Sequence, residues 1–331
     1  MKSHHSAVIL LALAAIHHST LRAQESRLEP LPAPTDIVWK LGGEADSEQG
    51  RLAEIKFHWR PSHHSLLSAG YTYSTLSSTN ITGTSAHIAS IAGEYAFGAF
   101  GLGGGYTHVA ESDLLKSNAF SLKPFYESGA WRLELSGSHR STQFDRFSFT
   151  NIPIQGPLAT VYVSGSAQLD LTSKGIGGSI DYLGETWHAY VSYDTYSYGE
   201  FAGETSVTAI REANGSVSTR TFTALASRMA TRLQRFAGSA ATRKAGLLDN
   251  SALVGLDINL RPVLLGFELG RDQDHLTQAT ATSYTGIVSL DTSRRTTLEL
   301  RGGAIQSDTL GTIRFIGLSL TVRSIPKGIF N

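Results

Sequence analysis

The apolar positions of this chain recur every second residue, over stretches of about ten residues, from near residue 36 to near residue 323. Arg51–Arg60 has the plainest example: Ala53, Ile55, Phe57 and Trp59 alternate with Glu54, Lys56, His58 and Arg60. A period of two is a strand period, because successive side chains point to opposite faces. Trp131, Leu133 and Leu135 alternate with Arg132, Glu134 and Ser136. Val161, Val163, Ala167, Leu169 and Leu171 read as one apolar face, and Trp187, Ala189, Val191 and Tyr193 as another. Val254, Leu256 and Ile258 oppose Gly255, Asp257 and Asn259, and Arg261-Pro262 turns the chain into Val263, Leu265, Phe267 and Leu269 opposite Gly266, Glu268 and Gly270. Leu298 and Leu300 flank Glu299, with Arg301 next, and Ile316, Leu318, Leu320 and Val322 close the series.

Sixteen strands are expected on this pattern, starting near Asp36, Arg51, Ser65, Thr84, Gly98, Ser117, Gly129, Pro157, Lys174, Thr186, Thr205, Ala252, Val263, Ala279, Arg294 and Gly311. Fourteen is the competing count. Short connections are expected at Pro61–His64, Phe97–Gly98, Ser128, Thr172–Ser173, Arg261–Pro262 and Asp291–Ser293, and longer ones at Gly43–Gly50, Leu76–Gly83, Ala110–Lys116, Arg140–Gly156 and Asp272–Gln278. Placing the short set on one side keeps every strand direction consistent, except that Gly184 is short where a long connection is due and 199–204 is long for a turn.

An apolar face is buried in a soluble sandwich and turned to lipid in a transmembrane barrel. Charges of both signs recur in mid-strand on the polar face, and Trp39, Trp59, Trp131, Trp187, Tyr126, Tyr182 and Tyr193 sit near strand ends, as an interfacial girdle requires. A single sandwich seldom needs so many strands, and no repeat of propeller length is visible. The expectation is an all-β, antiparallel up-and-down barrel with an aqueous lumen.

Composition agrees. The chain has 331 residues, zero formal net charge, 33 Gly, 12 Tyr, 14 Phe, 2 Met and no Cys. Zero net charge gives no global field for nucleic acid, and the lack of cysteine excludes disulfides and thiolate metal sites. Lys2 followed by the apolar Ala7–Ile16 reads as a secretory signal ending after Ala23, since ten apolar residues are too few to span a hydrocarbon layer of about 30 Å. Gln24–Thr35, stiffened by Pro30, Pro32 and Pro34, reads as a periplasmic leader, and 36–331 as the barrel.

Signal, cysteine-free mature chain, dyad strands and a strand close to the C-terminus together resemble a Gram-negative outer-membrane β-barrel. The resemblance implies an outer-membrane location and, as partners, the surrounding lipids with lipopolysaccharide, the barrel-assembly machinery and a small hydrophilic solute or exported polymer. Such barrels usually end on an aromatic residue; here Phe330 is penultimate, Asn331 is last and Pro326-Lys327-Gly328 intervene.

One segment breaks the pattern. Ala213–Leu248 has no acid, and Phe222, Leu225, Met229, Leu233 and Phe236 recur at helical steps with Arg228, Arg232 and Arg235 on another stripe. The unit 213–250 is expected to be a basic, partly helical insertion on the outer side. It narrows the pore as an anion-favouring constriction, lies on the rim against lipid phosphates, or is a solvated loop. Pore-lining candidates are Arg228, Arg232, Arg235, Glu54, Lys56, Arg132, Glu134, Asp257, Glu268, Glu299 and Arg301.

No catalytic centre, cofactor or metal spacing is expected. His139-Arg140-Ser141 resembles a fragment of the His-Ser pairs of outer-membrane phospholipases and lipid A deacylases, but Thr142 stands where those families have Asn. Gly101–Gly105 lacks the Lys-Ser/Thr ending of a phosphate loop. The reading is a channel for small hydrophilic, anion-leaning solutes or for polymer export. The competing reading is a non-conducting scaffold working through its outer loops, and lipid hydrolysis is the third.

Overall fold

A computed structural model describes residues 37–47, 50–78, 81–111, 115–155, 160–199, 202–211, 248–275, 280–308 and 311–324. The signal, the leader, most of the 213–250 unit and the last residues after Ser324 lie outside this set, so the helix expected there and the ending at Phe330 do too. The strands are β1 (Ile37–Asp46), β2 (Arg51–Ser62), β3 (Ser65–Ser78), β4 (Ile81–Phe97), β5 (Phe100–Glu111), β6 (Leu115–Ser128), β7 (Trp131–Gln155), β8 (Thr160–Leu183), β9 (Trp187–Tyr198), β10 (Ala202–Arg211), β11 (Leu248–Leu260), β12 (Val263–Asp274), β13 (Thr280–Ser293), β14 (Thr296–Ser307) and β15 (Gly311–Ser324). Each is antiparallel to its neighbours. β1 pairs with β15 and β8 with β9, while β9 pairs on to β11, so the sheet closes on itself.

The closed ring has fourteen strands, not sixteen. Both surplus strands have the same origin. β8 is one strand, so the connection expected at Thr172–Ser173 does not exist, and β7 runs through most of the expected Arg140–Gly156 loop to Gln155. β9 pairs with β8 from Leu183 to Ser173, and β10 pairs with the same edge of β8 from Asp170 to Tyr162. β9 and β10 are thus two lengths of one line, interrupted near Gly199, whose N–H still donates to the Thr172 carbonyl at 3.0 Å. The two irregular connections resolve together: Gly184 is a short turn on the short-turn side, and within 199–204 the strand β10 has already begun at Ala202.

The reason is a change of environment along β8. Near the turn, Ile176 and Ile180 point outward. Further along, Leu171 points inward and is buried, so the apolar positions change parity between 171 and 176. A parity change reads as a new strand when only the sequence is consulted. Here β7, β8 and the β9–β10 line continue past the lipid layer, beyond which an outward face need not be apolar.

All turns between β2–β3, β4–β5, β6–β7, β8–β9, β11–β12 and β13–β14 lie at one end, with Ile37 and Ser324. Short turns mark the periplasmic end of such barrels. At that end the outer surface carries Trp39, Trp59, Phe97, Phe100, Tyr126, Trp131 and Trp187, several in ring contact, such as Trp131 with Tyr182 at 4.8 Å and Tyr182 with Trp187 at 4.6 Å. Above them Leu122, Leu135, Ile176, Phe267 and Ile316 are more than half exposed. Acids and bases lie inside instead: Asp257 is 0% and Glu299 3% exposed. This inversion of a soluble core is the surface of a chain solvated by lipid.

Candidate functional site

The interior face of the strands is the candidate site. Glu54, Lys56, Arg132, Glu134, Asp257, Glu268, Glu299 and Arg301 all point inward, as their parity requires. Arg228, Arg232 and Arg235 lie outside the described residues. What the alternation could not supply is which inward residues meet, and the barrel gathers them into three groups.

The first spans β14, β15, β1 and β2. Lys40 Nζ lies 3.3 Å from Glu299, Lys56 Nζ 3.3 Å from Glu54, and Arg301 2.8 Å from Glu44. Arg301 and Glu44 are on strands two apart, with Gly317 between them in register with both. A Cβ on Gly317 would sit 2.9 Å from Arg301 Nε, so glycine is what lets the guanidinium lie across β15.

The second group joins β8, β9, β11 and β12. His188 sits between two carboxylates, with Nε2 3.5 Å from Asp181 and Nδ1 3.3 Å from Asp257, and its ring stacks on Tyr190 at 5.0 Å. Tyr190 donates its hydroxyl to Glu268 Oε1 at 2.7 Å, again across a glycine. Gly255 pairs with Tyr190 on one side and Glu268 on the other, and a Cβ there would lie 2.0 Å from the tyrosine ring.

The third group lines β4 to β7. Arg132 donates to Glu94 at 3.0 Å and Glu127 at 2.9 Å and reaches Glu134 at 3.4 Å, while Lys123 lies 3.7 Å from Glu134. The Arg132 guanidinium also covers the Phe125 ring at 4.1 Å, a cation–π contact. Sequence reasoning missed Lys40, Glu44, Glu94, Lys123, Asp181 and His188. Their parity was the available signal.

Two cavities lie between these groups. One, of about 680 Å³, opens at the periplasmic mouth between Arg132, Asp181, His188, Arg294, Glu299 and Arg323. The other, of about 170 Å³, reaches from Glu94 and Lys123 across to Arg140, Asp194 and Tyr196. Toward the outer end buried apolar side chains, Leu52, Val109, Leu171, Leu253, Ile305 and Phe315, join the inward face among buried polar ones such as Glu44, Ser117, Thr142 and Asp272. Ile305 and Phe315 pack together with Ala281.

His139 and Ser141 point outward, toward lipid. The position directly opposite His139 on β8 is Lys174, and on β6 Phe120. A general base needs an acceptor to orient and charge-stabilise its imidazole. Neither neighbour is one. Asn118, the amide on this face, gives its oxygen to Tyr106 and His108 at 2.6 and 2.8 Å. Among the described residues no group of His, Asp and Glu has a metal-binding arrangement.

No protein-family model and no curated protein matches the chain. Solved structures do. The "CymD monoaromatic hydrocarbon channel" superposes with a TM-score of 0.52 at 10% identity, over 92% of this chain and 93% of that one. The "KdgM porin in complex with disordered oligogalacturonate" aligns at a TM-score of 0.38 and 8% identity over 87% and 98%. At such identities the likeness to the first concerns the fold, and the second is too distant to argue from. Closed ring, lipid-facing apolar belt and inward charges give the chain the fold of an outer-membrane β-barrel.

Proposed function

We propose that the barrel is a narrow channel for small solutes, and that these carry an apolar body with a polar or anionic group. The observation that carries this reading is the mixed interior: buried apolar side chains stand beside polar ones toward the outer end, above charged groups tied together nearer the periplasmic end. Small cavities between the groups favour a small solute over an exported polymer. That a similar fold serves as a hydrocarbon channel agrees with the apolar positions among them. An anion preference rests on Arg228, Arg232 and Arg235 of the 213–250 insertion, acting as a constriction. Their joint replacement by Glu should reverse the preference, and an unchanged preference would remove them from the path.

The low exposure of the inward charges also supports the second reading, a non-conducting scaffold that presents the β7–β8–β10 sheet outside. Conductance in planar bilayers separates the two. Small steps are expected from the folded wild type, and larger ones from Glu44→Ala with Arg301→Ala. No steps from either protein would sink the channel reading.

A further inference from the structure

The outer surface is not the same at its two ends. The periplasmic girdle is aromatic and uncharged. At the other end of β5 to β8 the outward positions are His108, Lys116, Asn118, His139, Ser141, Gln143, Thr172 and Lys174, of which all but His108 and Asn118 are exposed. They are adjacent in the sheet. His139 is directly opposite Lys174, Asn118 is opposite both His108 and Ser141, Ser141 is opposite Thr172, and Lys116 is opposite Gln143. Directly opposed residues on one face have Cβ atoms about 5 Å apart, so these side chains form one patch.

The patch consists of donors and cations. Asn118 Oδ1 accepts from Tyr106 Oη at 2.6 Å and is 2.8 Å from His108 Nδ1, which leaves the amide N–H₂ of Asn118 to donate outward. Among the described residues the nearest carboxylate on this face, Asp170, stands in the outermost row of the patch, opposite Gln143, with Oδ1 buried. Below the patch lies an apolar bed: Phe120, Leu122, Leu135 and Ile176 are 58%, 56%, 68% and 72% exposed. Gly137 lies between them in register with Leu122 and Ile176, and leaves the bed shallowly grooved.

Height fixes what such a patch meets. Strands rise about 3.3 Å per residue and tilt roughly 40°, so Lys174, nine residues from the Leu183 end of β8, stands roughly 20–25 Å above the periplasmic girdle, the height of the apolar band. Lysines placed in mid-bilayer would cost several kcal/mol; at this level they meet headgroups. We propose that the outward face of β5–β8 binds the phosphate headgroup of an outer-leaflet lipid through Lys116, Asn118, His139 and Lys174, with an acyl chain on Phe120, Leu122, Leu135 and Ile176. The apolar bed directly beneath the donors selects a lipid over free phosphate. The Lys174 that denies His139 a catalytic partner is, on this reading, its companion in holding an anion.

The test uses the full barrel folded in phosphatidylcholine nanodiscs doped with bisphosphorylated lipid A or with its dephosphorylated form. Native mass spectrometry after extraction counts the retained lipid. Wild type should retain the phosphorylated form about tenfold better, the scale of one or two charge-assisted hydrogen bonds. Lys116→Gln with His139→Gln and Lys174→Gln should abolish the preference, and Arg271→Gln with Arg314→Gln, outward on the opposite wall, should keep it. Heat-modifiable migration on a gel checks folding, and Lys174→Gln alone serves if the triple variant does not fold. Equal retention of the two lipids, or equal loss in the Arg271/Arg314 variant, overturns the site. Displacement of the lipid by millimolar inorganic phosphate overturns the assignment to a lipid.

Discussion

Two inner walls of this barrel hold the same kinds of charge in different amounts of water. On the wall from β14 to β2, the side chains of Lys40, Glu44, Glu54, Lys56, Glu299 and Arg301 are 2–9% exposed. On the wall from β4 to β7, those of Glu94, Lys123, Glu127, Arg132 and Glu134 are 10–45% exposed. A buried pair holds only while both partners remain, because the charge left behind is desolvated. A wet pair loses little when broken, since water replaces the partner. The first wall is therefore a brace, and on the channel reading proposed above the second faces the passage. Arg132 can exchange partners among three carboxylates, whereas Arg301 is fixed across Gly317.

The largest loss is expected from Arg301→Ala. It leaves Glu44 buried without its guanidinium and should cost about 3–5 kcal/mol in urea unfolding of the folded barrel. A loss no larger than that of Arg132→Ala would make the two walls equivalent. Next in size are Gly255→Val and Tyr190→Phe, each expected to cost about 1–3 kcal/mol, because both deprive buried Glu268 of its hydroxyl donor, one by pushing the ring away. The double variant should cost little more than either single, and strict additivity would show that Gly255 does not act through Tyr190. The smallest stability effect belongs to Arg132→Ala, about 1 kcal/mol or less. It should nevertheless shift charge selectivity in planar bilayers toward cations, where Arg301→Ala shifts step size. Unaltered reversal potentials for Arg132→Ala would move the passage away from this wall.

Much of this was legible in the alternation. Glu54, Lys56, Arg132, Glu134, Asp257, Glu268, Glu299 and Arg301 face inward because their neighbours in sequence face lipid, and a period of two permits nothing else. The count of sixteen failed at one level of the molecule. Leu169 and Leu171 keep one parity and Ile176 and Ile180 the other, so β8 was divided where it leaves the lipid layer. The β9–β10 line was divided beside it, at Gly199, opposite the same stretch of β8. Each division added a strand, and each was a change of solvent mistaken for a change of direction. The glycines at 255 and 317 were legible as polar-face positions but not as crossings, since their purpose lies in side chains of adjacent strands.

Alternation and connection length alone point to a barrel, to the face of each strand that meets lipid, and to the end that carries the short turns. Those follow from local rules, period two and turn length, that need no partner. The tertiary structure decided the closure at fourteen strands and the pairing of Arg301 with Glu44, of Tyr190 with Glu268 and of His188 with Asp181 and Asp257. It also placed His139 beside Lys174. These depend on register between strands far apart in the chain, and register is set by the closed ladder as a whole, which no single stretch of alternation encodes.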